Sequence, residues 1–455
     1  MSCGCRIDLT GIAVPVQEAV AVPRQSNEAP PESDLLPQPS APDPRPMPRF
    51  LPWFVWGLGA CLFGYGWFHR VAPGVMVDTL MGEFQVGGAV IGNLAGVYFY
   101  TYAITQIPAG LIVDAYGSRR IMAASALLCT IGALVFSMAD GIVESFVGRL
   151  LIGLGAGPTF VIALNLAAVW CPRDRLALLG GLVMSFGVAG AMLGQVPLAW
   201  GVEAFGWRSS MYTAMLVGLT LTAGTWMVLR LPRPKPRAER PHGMAANIKS
   251  VLRRRDIWVL TLGGASTMAI MLAFGGLWAV PWLTQVQGFS RADAALLLSV
   301  NALGWGIGSP LIGWVSDRLG RRKPPFVGAM VMSVTTFAVL LLTPDLPAAA
   351  IYVLLFLQGL GTGGIMLIFA TAHDRFAGGQ EGLSAGIVNT GIMVGAASLQ
   401  PLVGWVLDRH WQGAMAGGAR VYDAAAYQSG LSVLIVCGVV AVLAGLMLPE
   451  TSRED

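Results

Sequence analysis

Twelve apolar stretches, each about as long as a bilayer core is thick, recur between Phe50 and Pro449 with short polar interruptions. They fall near 51–77, 88–113, 121–139, 143–169, 176–199, 210–230, 257–284, 293–315, 325–343, 348–370, 384–407 and 429–448. A helix needs about 20 residues to cross the hydrocarbon, so the 400 residues of this region hold twelve crossings and their connections. A soluble chain is excluded, because 55% of the 455 residues are hydrophobic and only 12% are charged, against roughly a quarter charged in an ordinary globular protein. The mean hydropathy of +0.64 excludes disorder and coiled coil for the same reason. The expected fold class is an all-α membrane protein with 12 transmembrane helices.

The charges are segregated. The even-numbered connections hold 18 Lys and Arg, nine of them in the one long internal connection from Arg230 to Asp256, whereas the odd-numbered connections hold four, Arg208, Arg291, Arg409 and Arg420. Cytoplasmic loops carry the excess of cations, so the even loops and both termini are expected in the cytoplasm of a cell with an inner membrane. A net charge of +4 distributed in this way argues for topology and against a nucleic-acid partner. Ten prolines between Pro15 and Pro48 make residues 1–49 a polar segment that cannot build a core, expected to be a disordered tail. That segment lacks a convincing secretory signal, and Met47 is an alternative start. The expected organisation is a tail (1–49), a six-helix bundle (50–230), a basic linker (231–256), a second bundle (257–449) and a short tail (450–455). The six cysteines show no metal-ligand spacing, and no nucleophile–base set suggests an enzyme or a cofactor.

The two halves repeat one another. GLIVDAYGSRR (Gly110 to Arg120) recurs as GWVSDRLGRR (Gly313 to Arg322) at an offset of 203, LIGLGAG (Leu151 to Gly157) answers LQGLGTG (Leu357 to Gly363) at 206, and Pro197-Leu198 answers Pro401-Leu402 at 204. Duplicated six-helix halves are a transporter architecture. The pattern G-x-x-x-D-x-x-G-x-R-R after span two, with a weaker copy after span eight, resembles the signature of the major facilitator superfamily, and the resemblance covers residues 50 to 450. It implies a monomeric secondary transporter that works by alternating access of two six-helix bundles. Arg149 to Gly155 is similar to the span-four motif of proton-coupled members, with Ile152 where a polar residue is common. The GxxxGP of the drug-antiporter branch is missing, since Gly190 and Gly194 are followed by Gln195-Val196 before Pro197. The span-one Arg in YGWFHRVAPGVMV is similar in position to that of the organic-anion symporters, and the whole pattern also resembles the lysosomal dipeptide branch.

An Asp at the C-terminus of a helix opposes that helix's own dipole, so its natural partner is the positive N-terminus of another helix. Asp114 and Asp317 therefore suit the N-termini of spans eleven and five. The resemblance implies a gating role for them together with Gly110, Gly117, Arg120, Gly313, Gly320 and Arg321; the plainer alternative is a topology signal.

All but two of the 29 Lys and Arg fall in loops or tails. The exceptions, Arg70 and Arg149, lie roughly 10 Å below the outer surface at 1.5 Å per helical residue. An Arg in hydrocarbon costs at least about 2.5–3.5 kcal/mol, so something must offset it: an anionic group of the substrate, or else snorkelling, Glu144 or backbone carbonyls. Aligning Pro73 with Pro281 sets Arg70 opposite Trp278, so that Trp278 and Trp282 are expected as an apolar wall or as part of an aromatic belt. Tyr65, His69, Tyr98, Tyr102, Gln106, Asn301 and Asn389 are further polar candidates for the substrate site. Apart from Glu144, no Asp or Glu is expected well inside a span, so a transported proton would fall to His69, Glu144, Asp78 or the substrate itself. The expected activity is secondary transport of a small polar organic solute bearing a carboxylate, with or without a proton. A dipeptide uniporter, a proton-driven efflux antiporter and a non-transporting membrane sensor are the alternatives.

Overall fold

The first helix, α1 (Leu51–Phe84), starts at a proline in its first turn, where no backbone donor is lost, and ends where Gln85 turns left-handed at φ 51°. In this computed structural model the described residues are 50–172, 175–229, 244–377, 380–448 and 450. The expectations for the N-terminal tail, most of the linker and residues 451–455 lie outside them. Helix α2 (Gly88–Tyr116) meets α3 (Ser118–Ser137) at Gly117, whose φ of 84° permits a turn too tight for other residues. The fourth span is α4 (Ile142–Ala156) continued by α5 (Thr159–Trp170), interrupted at Gly157-Pro158 because proline cannot donate to the preceding turn. Helices α6 (Leu176–Leu193) and α7 (Val196–Leu229) hold the fifth and sixth spans; the boundary is Gly206, with φ 82°.

After the short α8 (Met244–Leu252), the seventh span is assembled from α9 (Arg255–Ala269), a π-helical stretch (Ile270–Trp278) and α10 (Ala279–Gln285). Ser290 caps α11 (Arg291–Leu319) by accepting from the Asp293 amide, and Gly320 at φ 63° turns the chain into α12 (Lys323–Leu342). Span ten, α13 (Ala348–Thr362) and α14 (Ile365–Arg375), breaks at Gly363-Gly364, the counterpart of the break in span four. Helix α15 (Glu381–Arg409) is followed by a hairpin, β1 (Met415–Ala416) and β2 (Ala419–Arg420). Its turn, Gly417-Gly418, has positive φ at both residues, as the right-handed strand twist requires. Helix α16 (Ala424–Met447), capped by Asp423, ends the fold.

Nine stretches of the described residues are long and apolar enough to cross a membrane, and one of them, Leu178–Leu229, contains the Gly206 boundary and counts twice. Helices α1 and α2 complete the twelve spans; at 34 and 29 residues they reach about 50 and 44 Å. They carry the polar residues that make the site. Several helices run past their apolar runs, because the turns beyond the lipid need no apolar residues. Helix α1 thereby takes in Asp78, just beyond its apolar run. Glu144 itself is exposed.

The first six spans pack mainly on one another, as do the last six, giving two six-helix bundles. They meet through α2 against α15, through α1 against the π-helical stretch and α10, and through α11 against α6 and α7. The α2–α15 seam is made of small residues: a Cβ placed on Gly88, Gly92 or Gly96 would come within 3.0 Å of the backbone of Gly404, Pro401 or Ala397. The basic end of the molecule is the one bearing Arg119, Arg175 and Arg321. Gly110 and Gly313, near that end, face open space.

Candidate functional site

Trp67 and Arg70 are three residues apart on α1, and Tyr98 and Tyr102 four apart on α2, so each pair shares a helix face. The packing of α1 on α2 brings them together. Arg70 is 4% exposed. Its Cζ sits 4.1 Å from the ring centroid of Trp67, 5.0 Å from Tyr102, 5.7 Å from Tyr98 and 5.8 Å from Phe99. Each such contact contributes roughly 0.5–2 kcal/mol, more where water is excluded. Among the described residues no carboxylate pairs with it, and its Nε has no hydrogen-bond partner. Trp67 in turn lies 5.6 Å, centroid to centroid, from Trp305 on α11, which places this cluster where the two bundles touch. Both indole Nε1 atoms are buried without partners. His69, fully buried, packs edge-on against Tyr65 and Phe68, and neither of its ring nitrogens has a partner.

The other polar candidates are already engaged. Arg149 donates to three backbone carbonyls, those of His69 at 2.6 Å, Ala95 at 3.3 Å and Leu94 at 3.4 Å. Its guanidinium thus ties span four to spans one and two, which corrects the expectation of a second anion-binding cation. The carbonyl alternative is the geometry found. Tyr65 donates to the Ala214 carbonyl and Tyr98 to the Gly66 carbonyl, both at 2.9 Å. Asn301 donates to the Leu355 carbonyl and to Gln358 Oε1, and Gln358 continues to Ser333 and Thr362, a chain that knits spans eight, nine and ten. Asn389 donates to Gln106 Oε1 at 2.9 Å, and Gln106 donates to the Gly157 carbonyl, so this pair bridges the bundles.

Trp278 and Trp282 are buried in an apolar cluster that also holds Phe274 and Leu277, away from Arg70. Trp278 donates to the Gln400 carbonyl at 3.0 Å, and Trp282 stands edge-on to Phe274. They form neither a wall facing Arg70 nor a lipid-facing belt. The physical reason is the π-helical stretch immediately before them: hydrogen bonds that skip five residues rather than four rotate every later side chain about the helix axis. An alignment by prolines cannot anticipate that rotation. The aromatic that the second bundle does bring to the site is Trp305, one turn beyond Asn301, a spacing present in the sequence but not singled out there.

At the end opposite the basic one, a second acid closes the seam. Asp408, at the C-terminus of α15, accepts from the backbone amides of Gly88 at 2.9 Å and Ala89 at 2.8 Å, the first residues of α2. Arg420 and the Tyr422 hydroxyl donate to the same carboxylate at 2.9 and 2.6 Å. Burial, and then the hydrogen bond to Asp408, push the Tyr422 hydroxyl above its ordinary pKa and keep it a donor. Gln285 adds to the closure, donating to Asp78 and accepting from the Tyr422 amide. At the basic end, Asp317 pairs with Arg322 of its own hairpin at 3.5 Å, and Arg120 and Arg321 are exposed. The Asp114 side chain lies outside the described ones. Gly117 and Gly320 make the turns expected of them. A cavity of about 300 Å³ at the basic end, lined by Arg255, Asp256, Val259, Arg375 and Met447, is separate from the Arg70 cluster.

An enclosed guanidinium with no carboxylate, surrounded by aromatic faces and unused N–H donors at the meeting of two bundles, is equipped to receive an anion. The protein belongs to the Major Facilitator Superfamily, whose pattern it matches over residues 56–399 and again over 274–454. It is accordingly a membrane transporter and not an enzyme. The chain is similar to the gentisate transporter of Corynebacterium glutamicum, with 26% identity over 81% of this chain and 86% of that one. It is also similar to the probable galactarate/D-glucarate transporter GudP of Bacillus subtilis, with 22% identity over 85% and 92%. Among solved structures, a bacterial homologue of the human lysosomal transporter Spinster, in an inward-facing and unoccupied conformation, superposes with a TM-score of 0.70 at 15% identity, covering 88% of this chain and 96% of that one.

Proposed function

We propose that this protein carries a small organic anion across a cytoplasmic membrane by alternating access of its two bundles, residues 50–230 and 257–449, with Arg70 receiving the carboxylate. The observation that carries the reading is the enclosed Arg70 guanidinium, which lacks a carboxylate partner among the described residues. A buried guanidinium with a donor left unpaired is stabilised by a counter-charge, and a bound anion supplies one. Two relatives named above are named for organic acids, gentisate and galactarate or D-glucarate, which supports the same class here. With the basic end in the cytoplasm, the Asp408 closure faces outward and the conformation opens inward.

The test is binding to the purified protein of carboxylates and their amides. Acids should bind and amides should not, and Arg70→Lys should lose at least about tenfold in affinity, because a point charge does not reproduce the planar two-point contact of a guanidinium. Acid-over-amide discrimination that survives unchanged in Arg70→Ala places the anion elsewhere. Counterflow uptake into liposomes separates a transporter of the bound acid from a protein that only senses it.

A further inference from the structure

We infer that the ligand is an aromatic monocarboxylate, rather than a polyhydroxylated or dianionic acid. The inference rests on the reading that Arg70 holds the carboxylate, and it follows from what the protein leaves unused around that residue. Two cations are buried among the described residues, Arg70 and Arg149. Arg149 is consumed by three carbonyls. A second carboxylate on the ligand would therefore be buried without a counter-charge, which is strongly unfavourable.

The same accounting applies to hydroxyl groups. A sugar acid brings several, each needing a partner once out of water. The side chains that would serve, Tyr65, Tyr98, Asn301 and Asn389, already donate to protein acceptors. Among the described residues, what remains at the Arg70 cluster is donor-rich and flat: Trp67 Nε1, Trp305 Nε1, Arg70 Nε and the faces of the rings, while the two unpartnered ring nitrogens of His69 sit between Tyr65 and Phe68. Geometry favours a planar body as well. The Arg70 guanidinium centre sits 4.1 Å over the Trp67 ring. A carboxylate held in two-point contact lies in the plane of the guanidinium, and an aryl ring conjugated to that carboxylate stays close to the same plane. Trp305 reaches Trp67 from the other bundle, so an aryl ring there would touch both halves.

The experiment compares four probes on the full chain, purified in detergent, by calorimetry and tryptophan fluorescence: benzoate, cyclohexanecarboxylate, benzamide and galactarate. Benzoate should bind about tenfold more tightly than cyclohexanecarboxylate, the increment expected of a ring stacked among aromatics. Galactarate should bind at least about a hundredfold more weakly than benzoate. Trp305→Leu should abolish the aryl-over-cyclohexyl preference yet keep the preference for benzoate over benzamide, and Trp305→Phe should restore most of the former. Galactarate binding within a few-fold of benzoate overturns the inference. An aryl preference untouched in a folded Trp305→Leu does the same. Failure of the wild type to distinguish benzoate from benzamide overturns the Arg70 reading instead, and binding of none of the acids overturns both.

Discussion

Arg70 and Arg149 are alike in sequence terms, two isolated cations at one depth, and opposite in use. Arg149 is a structural clamp on the carbonyls of His69, Leu94 and Ala95, whereas Arg70 is held by ring faces and the Tyr98 hydroxyl. Hydrogen bonds from a charged group are worth about 1.5–3 kcal/mol each. Arg149→Ala, which removes three of them, should therefore lower stability by at least roughly 4 kcal/mol, read by thermal unfolding in detergent, while ligand affinity in the surviving folded protein stays within a few-fold. Affinity lost at unchanged stability would return Arg149 to the binding site. That both residues matter was legible from their isolation among 29 cations. Which of them is free was not, because the three carbonyls belong to helices 54 to 80 residues away along the chain.

Between elements, the Asp408 closure repeats the chemistry of the motif at the basic end. Gly404-Trp-Val-Leu-Asp408-Arg409 matches Gly313-Trp-Val-Ser-Asp317-Arg318 at five of six positions. The two stand at the C-termini of helices that run in opposite directions, so one acid faces each side of the molecule. The repeat was present in the sequence, but a dipole argument confined to the cytoplasmic connections passes over it. An acid on a helix N-terminus contributes about 0.3–2 kcal/mol. Asp408→Asn should thus raise severalfold the labelling of Ala419→Cys, buried in the closed state, by a membrane-impermeant maleimide. Unchanged labelling would make the cap incidental. Because the Tyr422 hydroxyl has its pKa raised on folding, its contribution is complete below the ordinary phenol pKa of about 10 and declines only as pH rises above it. Labelling of the parent protein should not change through this tyrosine between roughly pH 6 and 9.

For the whole molecule, orientation is the property that fixes which side opens. The loop from Arg230 to Asp256, with nine cations, should lie in the cytoplasm, and reporter fusions within it should read as internal. An external reading would reverse the proposed direction of opening. Span number, the duplicated halves and the two Gly turns followed from periodicity and repeats, since each is a local property of the chain. The contacts of the seam did not, because they depend on how two bundles lean together. Along Gly88, Gly92 and Gly96 those bundles meet backbone to backbone, so on the proposed alternating access the surfaces that separate along this stretch have no teeth. Interlocked side chains would have to withdraw rotamer by rotamer; hydrogens on α-carbons withdraw together. A seam of this kind holds firmly when shut and opens with little friction, which leaves the speed of a cycle to the release of the Asp408 cap and to the ligand.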